Sequence, residues 1–459
     1  MPLILGANSV SGYNVANSLR FNSGSSDNLS KVFSSAETSN KIGTLSFWFK
    51  TLATNQQYLV ATNTGTIFYI YFNSSSGITF QNGATSTRIT SQVFRDPSAW
   101  YHLVVAWDTT QGTSSNRQKI YLNGSEITAF STSNDLTLNQ VIPFFDNDGS
   151  TKHIGSYTGG GFYSGYISEF YGIDGQALTP SSFGETDTDT NIWIPKAYTG
   201  SFGTNGFYLQ FKNSASLGTD SSGNSNTWTV NNLTSIDQST DTCTNNFATL
   251  NPFAAQAGSG QSSAVNTFTE GNLKVADLAS DTAISNFGVS TGKWFWEVQV
   301  VTDQDGIAIG ACNEGFNLNA ELGYNSPSSA SNGKVFGYYG NGNKFITIGN
   351  GSQFTSYGSA IAVNNIIGVA LDLDSNQVTF YQNGTSQGTF SITALSSGEN
   401  YFPAIGNWSA GAVVANYNFG SPPFTISSGN SDGAGFGNFE YAVPSGYFAL
   451  CSKNLAEYG

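Results

Sequence analysis

Three groups of residues in this 459-residue sequence carry the atoms that binding or catalysis would need. Asp146-Asn147-Asp148-Gly149 puts hard oxygen donors on a short loop, the donor type that calcium takes. The same run can instead form an Asx turn, in which Asn and Asp bond their own backbone. Trp408, in Gly406-Asn407-Trp408-Ser409, is a loop tryptophan beside an amide, and Tyr338 and Tyr339 precede the Gly/Asn-rich loop 340–343. Aromatic faces next to amide hydrogen-bonders are what a sugar ring needs, and Tyr- and Asn-rich loops also build protein-binding surfaces. Trp408, Asn407, Tyr338 and Tyr339 are therefore candidate ligand-binding residues, with sugar and protein both left open.

Catalytic groupings are missing from the sequence pattern. Glycosidases work with two carboxylates, about 5 Å apart in the retaining class. Glu297 stands alone in WFWEVQV and Glu169 alone in YISEFYG. His102 shares a strand face with Val104 and Ala106 and reads as a structural histidine; His153, after Lys152, reads as a solvated turn residue. No Ser/His/Asp order, phosphate loop or His/Cys metal spacing occurs. Cys243, Cys312 and Cys451 are widely spaced and read as small buried hydrophobes. The expectation is a chain without catalytic activity.

The elements that must position these residues are strands. Ile367, Val369, Leu371 and Leu373 alternate with Gly368, Ala370 and Asp372, the period of a strand with one buried face. Gln377 to Gln382 returns with Val378 and Phe380 on the same face, and Asn383-Gly384 supplies the positive-φ pair of a tight hairpin turn. The phrase recurs earlier: Tyr101 to Asp108, a polar loop, then Lys119-Ile120-Tyr121-Leu122 closed by Asn123-Gly124. Short aromatic or β-branched runs at roughly 8–12-residue spacing, bounded by Asn, Ser and Gly, predict antiparallel β-sandwiches, with helix only as isolated turns.

Composition agrees. Charged residues make up 10% and aromatics 14%, which indicates packed sandwiches with a neutral polar surface, since disordered chains lack regularly placed aromatics. A net charge of -14 and the lack of any basic run disfavour nucleic acid and anionic membrane as partners. No segment approaches the roughly 18 apolar residues of a membrane helix. MPLILGANSV has no basic residue ahead of its apolar run, so export by the usual signal is not expected.

The order LSFWFK, WYHLVVAWDTT, KIYLNGSEI and HIGSYTGGGFYSGYISEFYGIDGQALTPSSF resembles the laminin-G/pentraxin branch of the concanavalin A-like fold over residues 15–211. From about residue 266, GKWFWEVQV, IAIG, FGYYG, the hairpin, YFPAIG and VANYNFG resemble the SPRY domain. The turn-rich text of 212–265 is expected to connect the two, packed over a domain surface through Trp228, Val230, Leu233 and Phe247, and residues 1–14, with Leu3-Ile4-Leu5, to form an N-terminal arm or an edge strand. The first resemblance implies possible calcium at Asp146, Asn147 and Asp148, and it admits glucanase relatives. The connector and tail also resemble the layout of virion proteins of marine tailed phages. That likeness implies a virion surface protein used for adhesion or decoration, made in the host cytoplasm and oligomeric in the particle. Its partners would be other capsid or tail proteins, through the arm, and a host polysaccharide. A decoration protein that binds no glycan and a polysaccharide-degrading enzyme are the alternatives.

Overall fold

A computed structural model describes residues 12–52, 55–62, 67–83, 85–254, 266–278, 282–302, 306–316, 318, 322–323, 333–348, 352–393, 395, 398–408 and 413–459. The chain divides into two compact units, one running to Asn245 and the other from Asn246 to Gly459. Each is an antiparallel β-sandwich, as the strand periodicity predicts.

In the first unit two eight-stranded sheets face each other. One is centred on Ile42–Thr51, flanked by Tyr101–Asp108 and Gly165–Asp174. Along Ile42–Thr51 strict alternation sends Leu45, Phe47 and Phe49 into the core, and Ser46, Trp48 and Lys50 to the opposite face. The second sheet includes Asn28–Lys31, Lys152–Ile154, Gln57–Thr62, Phe68–Phe72 and Gly77–Asn82 as neighbours in that order. Leu29, Ile154, Val60, Ile70 and Phe80 point inward from it.

The described part of the expected connector, 212–254, is built into the sheets and cores of the units. Thr229–Asn231 pairs with Asn28–Lys31, and Gln238–Ser239 pairs with Ser18–Phe21, so this text supplies an edge strand to each sheet of the first unit. Trp228 and Leu233, expected to pack over a domain surface, are buried in its core. Past Asn245, Ala248 and Leu250 already belong to the core of the second unit. Leu3-Ile4-Leu5 of the expected arm lies outside the described residues; Tyr13 and Asn14, at its end, are described.

The second unit stacks a sheet carrying Lys293–Thr302, Ile366–Asp372 and Gln377–Gln382 against one carrying Tyr401–Asn407, Ile307–Asn313 and Lys334–Tyr339. Val369, Leu371, Val378 and Phe380 all enter the core between them, beside Trp294, Trp296 and Ile309. Asn383 and Gly384 occupy the hairpin turn at φ 49° and 76°. The outer face of the first of these sheets is covered by the C-terminal tail: Phe439, Ala449 and Cys451 pack on Phe295 and Ala370. Phe448–Ala449 pairs in parallel with Lys293–Thr302. Beyond isolated turns, the described residues form one short helix, Ser452–Tyr458, in this tail.

Candidate functional site

Loop 146–148 lies among acids. Glu37, Asp148 and Asp174 surround Asp146, and burial followed by these charges raises its carboxyl to about 7. Its Oδ1 is buried without a hydrogen-bond partner. The neighbours, however, are engaged. Asp148 Oδ1 accepts the Ser150 N–H at 2.9 Å, an Asx turn, and takes the buried Lys152 Nζ at 2.8 Å. Asp174 accepts backbone N–H groups from Thr38, Ser39 and Asn205, and the Asn147 amide donates to Ser34 O. Among the described residues no three His, Cys, Asp or Glu side chains are grouped to hold a metal. Calcium needs six to eight oxygens facing one point. A lysine ammonium among the donors and carboxylates turned to backbone amides do not fit it.

Of the four candidate ligand-binding residues, the fold brings two together. Trp408 and Tyr339 lie 4.6 Å apart by ring centroid, and Phe354, 38% exposed on its edge strand, meets Trp408 edge-on at 4.9 Å. The Trp408 indole N–H donates to Leu322 O at 2.8 Å, which fixes the ring. Tyr338 and Asn407 are corrected: both are fully buried. Tyr338 points the other way from Tyr339, as adjacent strand residues must, and its hydroxyl donates to Ser359 O. Asn407 donates to Leu278 O at 2.7 Å, a bond from its strand to the facing sheet.

Of the groups weighed for catalysis, His102, Glu169 and Glu297 are buried and hydrogen-bonded within the fold. His102 is buried, stacked on Trp48 at 4.8 Å, and accepts the Trp193 indole N–H on Nδ1 at 2.9 Å. Its proton therefore sits on Nε2, which donates to Ser46 Oγ at 2.8 Å. Burial lowers its pKa to about 3, so it stays neutral. Glu169 and Glu297 are buried in separate units, each ringed by donors.

A surface that sequence reasoning missed lies on the second sheet of the first unit. Phe68–Phe72 reads Phe-Tyr-Ile-Tyr-Phe: Phe68, Ile70 and Phe72 face the core, so Tyr69 and Tyr71 face out. Tyr58 stacks on Tyr71 at 4.9 Å and meets Tyr69 edge-on at 5.3 Å. Tyr157 closes on Tyr58 at 4.8 Å. Gly161, at φ 57°, lets the ring in, since a Cβ there would stand 2.5 Å from Tyr58 Cδ2. Strand register continues this outer row from Tyr69 through Ala61 to His153, Ser30 and Thr229. His153 is thus a strand residue, not a turn residue, and neither ring nitrogen has a hydrogen-bond partner. Burial lowers its pKa, so the imidazole is neutral near pH 7. The signal was legible in Tyr69-x-Tyr71 alternation and in the Tyr157-Thr158-Gly159-Gly160-Gly161 loop. Half-buried aromatic rings set at right angles, with hydroxyls and small polar groups alongside, form a corner that a ring-shaped polar ligand can stack in.

Residues 23–182 match the concanavalin A-like lectin/glucanases superfamily, and residues 293–419 match the SPRY domain. Among solved structures the chain is similar to the SPRY domain of human HERC1, at 16% identity over 37% of this chain and 96% of that one, with a TM-score of 0.27. It is also similar to a native heptameric SAP-like pentraxin from Limulus polyphemus, at 18% identity over 42% of this chain and 95% of that one, with a TM-score of 0.28. A lectin-type domain and a SPRY domain in one chain suggest a binding module.

Proposed function

We propose that this chain is a non-catalytic surface protein of a tailed-phage virion and binds host envelope glycan through the tyrosine face of its first sandwich. One observation carries the glycan reading: Tyr58, Tyr69, Tyr71 and Tyr157 converge on the outer face of a rigid sheet, with polar groups continuing the same row. Tyrosine supplies stacking area and a hydroxyl at low entropic cost, which suits saccharide rings. The Trp408–Tyr339–Phe354 cluster of the second unit offers a second aromatic surface, exposed at Phe354. The virion assignment rests on the layout of connector and tail, and attachment to the particle would use the N-terminal segment.

The test is binding of the full chain to polysaccharide extracted from host envelopes, with reducing-end release followed in parallel. Tyr58→Ala together with Tyr157→Ala should weaken binding by about tenfold or more, roughly 1.4 kcal/mol. Particle incorporation and fold should be unchanged. Full incorporation with no polysaccharide binding by the parent chain would leave a decoration protein. Reducing-end release would make it an enzyme.

A further inference from the structure

The first sandwich holds one lysine–aspartate pair unlike its other ion pairs. Lys50 Nζ lies 2.8 Å from Asp241 Oδ2, with side-chain exposures of 0% and 1%. By contrast, Lys152, also fully buried, reaches an aspartate that is 36% exposed, and Arg20 stands 3.6 Å from Asp237. Aromatic groups enclose the Lys50–Asp241 contact. The Trp100 indole N–H donates to Asp241 Oδ1 at 3.0 Å, and Lys50 Nζ lies 5.4 Å from the Tyr166 ring centroid. Ser18 Oγ donates to the Asp241 carbonyl at 2.6 Å and Asp241 N–H to Ser239 Oγ at 3.1 Å, so the backbone that carries the carboxylate is fixed.

We propose that Lys50 and Asp241 are a self-modification site, joined in the mature protein by an isopeptide bond between Nζ and Cγ. Attack by Nζ requires one proton to pass from the ammonium to a carboxylate oxygen, and Asp241 Oδ2 stands 2.8 Å away to take it. The two oxygens of Asp241 are already distinguished. Oδ1 is polarised by the Trp100 N–H and is placed to carry the negative charge of the tetrahedral intermediate. Oδ2, facing Lys50, is the leaving oxygen. Nζ attacks Cγ, the C–Oδ2 bond breaks, and that oxygen departs with two lysine protons as water; the third proton stays on the amide nitrogen. Atoms and charge balance with no co-reactant. Fixed approach at contact distance replaces a bimolecular encounter, and burial keeps water from reversing the step.

The bond would tie a central strand of the sheet to the segment that ends the first unit, 191 residues on. All three cysteines are free, so no disulfide does this work. A covalent closure of that reach restricts the unfolded chain strongly.

Mass spectrometry of the purified, denatured full chain decides the matter. The expected mass is one water below that of the sequence, with no tryptic cleavage after Lys50 and one fragment containing both Lys50 and Asp241. Lys50→Arg and Asp241→Ala should each show their full sequence mass. Asp241→Asn should form the same amide by losing ammonia and arrive at the cross-linked wild-type mass. A wild-type chain at full sequence mass, with a free peptide ending in Lys50, overturns the bond and leaves an ion pair. That reading needs no variant to fold.

Discussion

The two sandwiches each bury one glutamate on an internal strand, and they satisfy it in opposite ways. Glu297, on Lys293–Thr302, accepts the backbone N–H of Glu440 at 3.0 Å and of Tyr441 at 2.9 Å, with the Asn418 amide at 3.0 Å. Those partners pin the C-terminal tail across the sheet. Glu169, on Gly165–Asp174, accepts only side-chain hydroxyls, all on Oε2: Tyr208 at 2.6 Å, Tyr171 at 2.7 Å and Tyr13 at 3.0 Å. Its backbone sits at φ 50° in a β-bulge between Ser168 and Tyr171. One carboxylate is held on a regular strand by main chain, the other on a strained residue by aromatic side chains. A lone strand glutamate is thus a clasp for a chain end in both units, and its type says nothing about catalysis.

The largest effect expected is at Glu297. Glu297→Ala removes the acceptor of two backbone N–H groups and of one Asn418 amide proton, whose other still reaches Asn438 O, in a fully buried site, a loss of about 3–5 kcal/mol. The tail should loosen first, seen as faster amide exchange at Glu440 and Tyr441. The pH dependence has a definite sign. Burial outweighs the three N–H donors and raises the Glu297 carboxyl from 4.5 to about 7. Between those values the folded state binds more protons than the unfolded one, so this group makes stability fall as pH rises from about 4.5 to 7, then level off. Glu297→Gln should flatten that part of the thermal-unfolding profile. An unchanged slope would place its origin elsewhere.

At Glu169 the same logic predicts a smaller loss. A non-glycine residue in the left-handed region costs roughly 1–2 kcal/mol, which Glu169→Gly would recover while losing the three hydroxyl contacts. Its net destabilisation should therefore be at least about 1 kcal/mol less than that of Glu297→Ala. Equal losses in denaturant unfolding would mean that the bulge stores no strain and that the two clasps differ only in their donors.

The same bulge marks where the sequence stops being legible. Alternation along Gly165–Gly172 puts Ile167, Glu169 and Tyr171 on one face. In the fold Ile167 and Phe170 both reach the core, because the inserted residue shifts the parity and turns Glu169 aside. The hairpin 366–382 has no such insertion, so every inward assignment there follows from period two. The burial of Tyr338 and Asn407 has a related cause: nearness to a loop in sequence does not say on which side of a strand a side chain emerges. The tyrosine face was readable as alternation in Phe68–Phe72, but assembling it also needs Tyr58 and Tyr157, which only strand pairing brings beside Tyr69 and Tyr71. The reach of the first unit to Asn245 depends on edge strands of three and two residues, too short to carry a periodic signal.

The smallest effect separates the three hydroxyls on Glu169. Tyr13 is half-exposed and its hydroxyl is the most distant, at 3.0 Å, so Tyr13→Phe removes one of three donors and leaves the carboxylate with two. The expected loss is at the low end for a hydrogen bond, about 0.5 kcal/mol. Tyr208→Phe should cost more, roughly 1–2 kcal/mol, because the Tyr208 hydroxyl also meets Tyr13 at 2.7 Å and accepts the Gln210 amide at 2.9 Å. The double variant tests coupling: the Tyr13 and Tyr208 hydroxyls stand 2.7 Å apart with one proton each, so either can donate to Glu169 or to its neighbour, and the combined loss should depart from the sum of the single losses. Strict additivity would make them two independent donors. A Tyr13→Phe loss larger than that of Tyr208→Phe would reverse the order and make the entering chain segment the main support of the buried carboxylate.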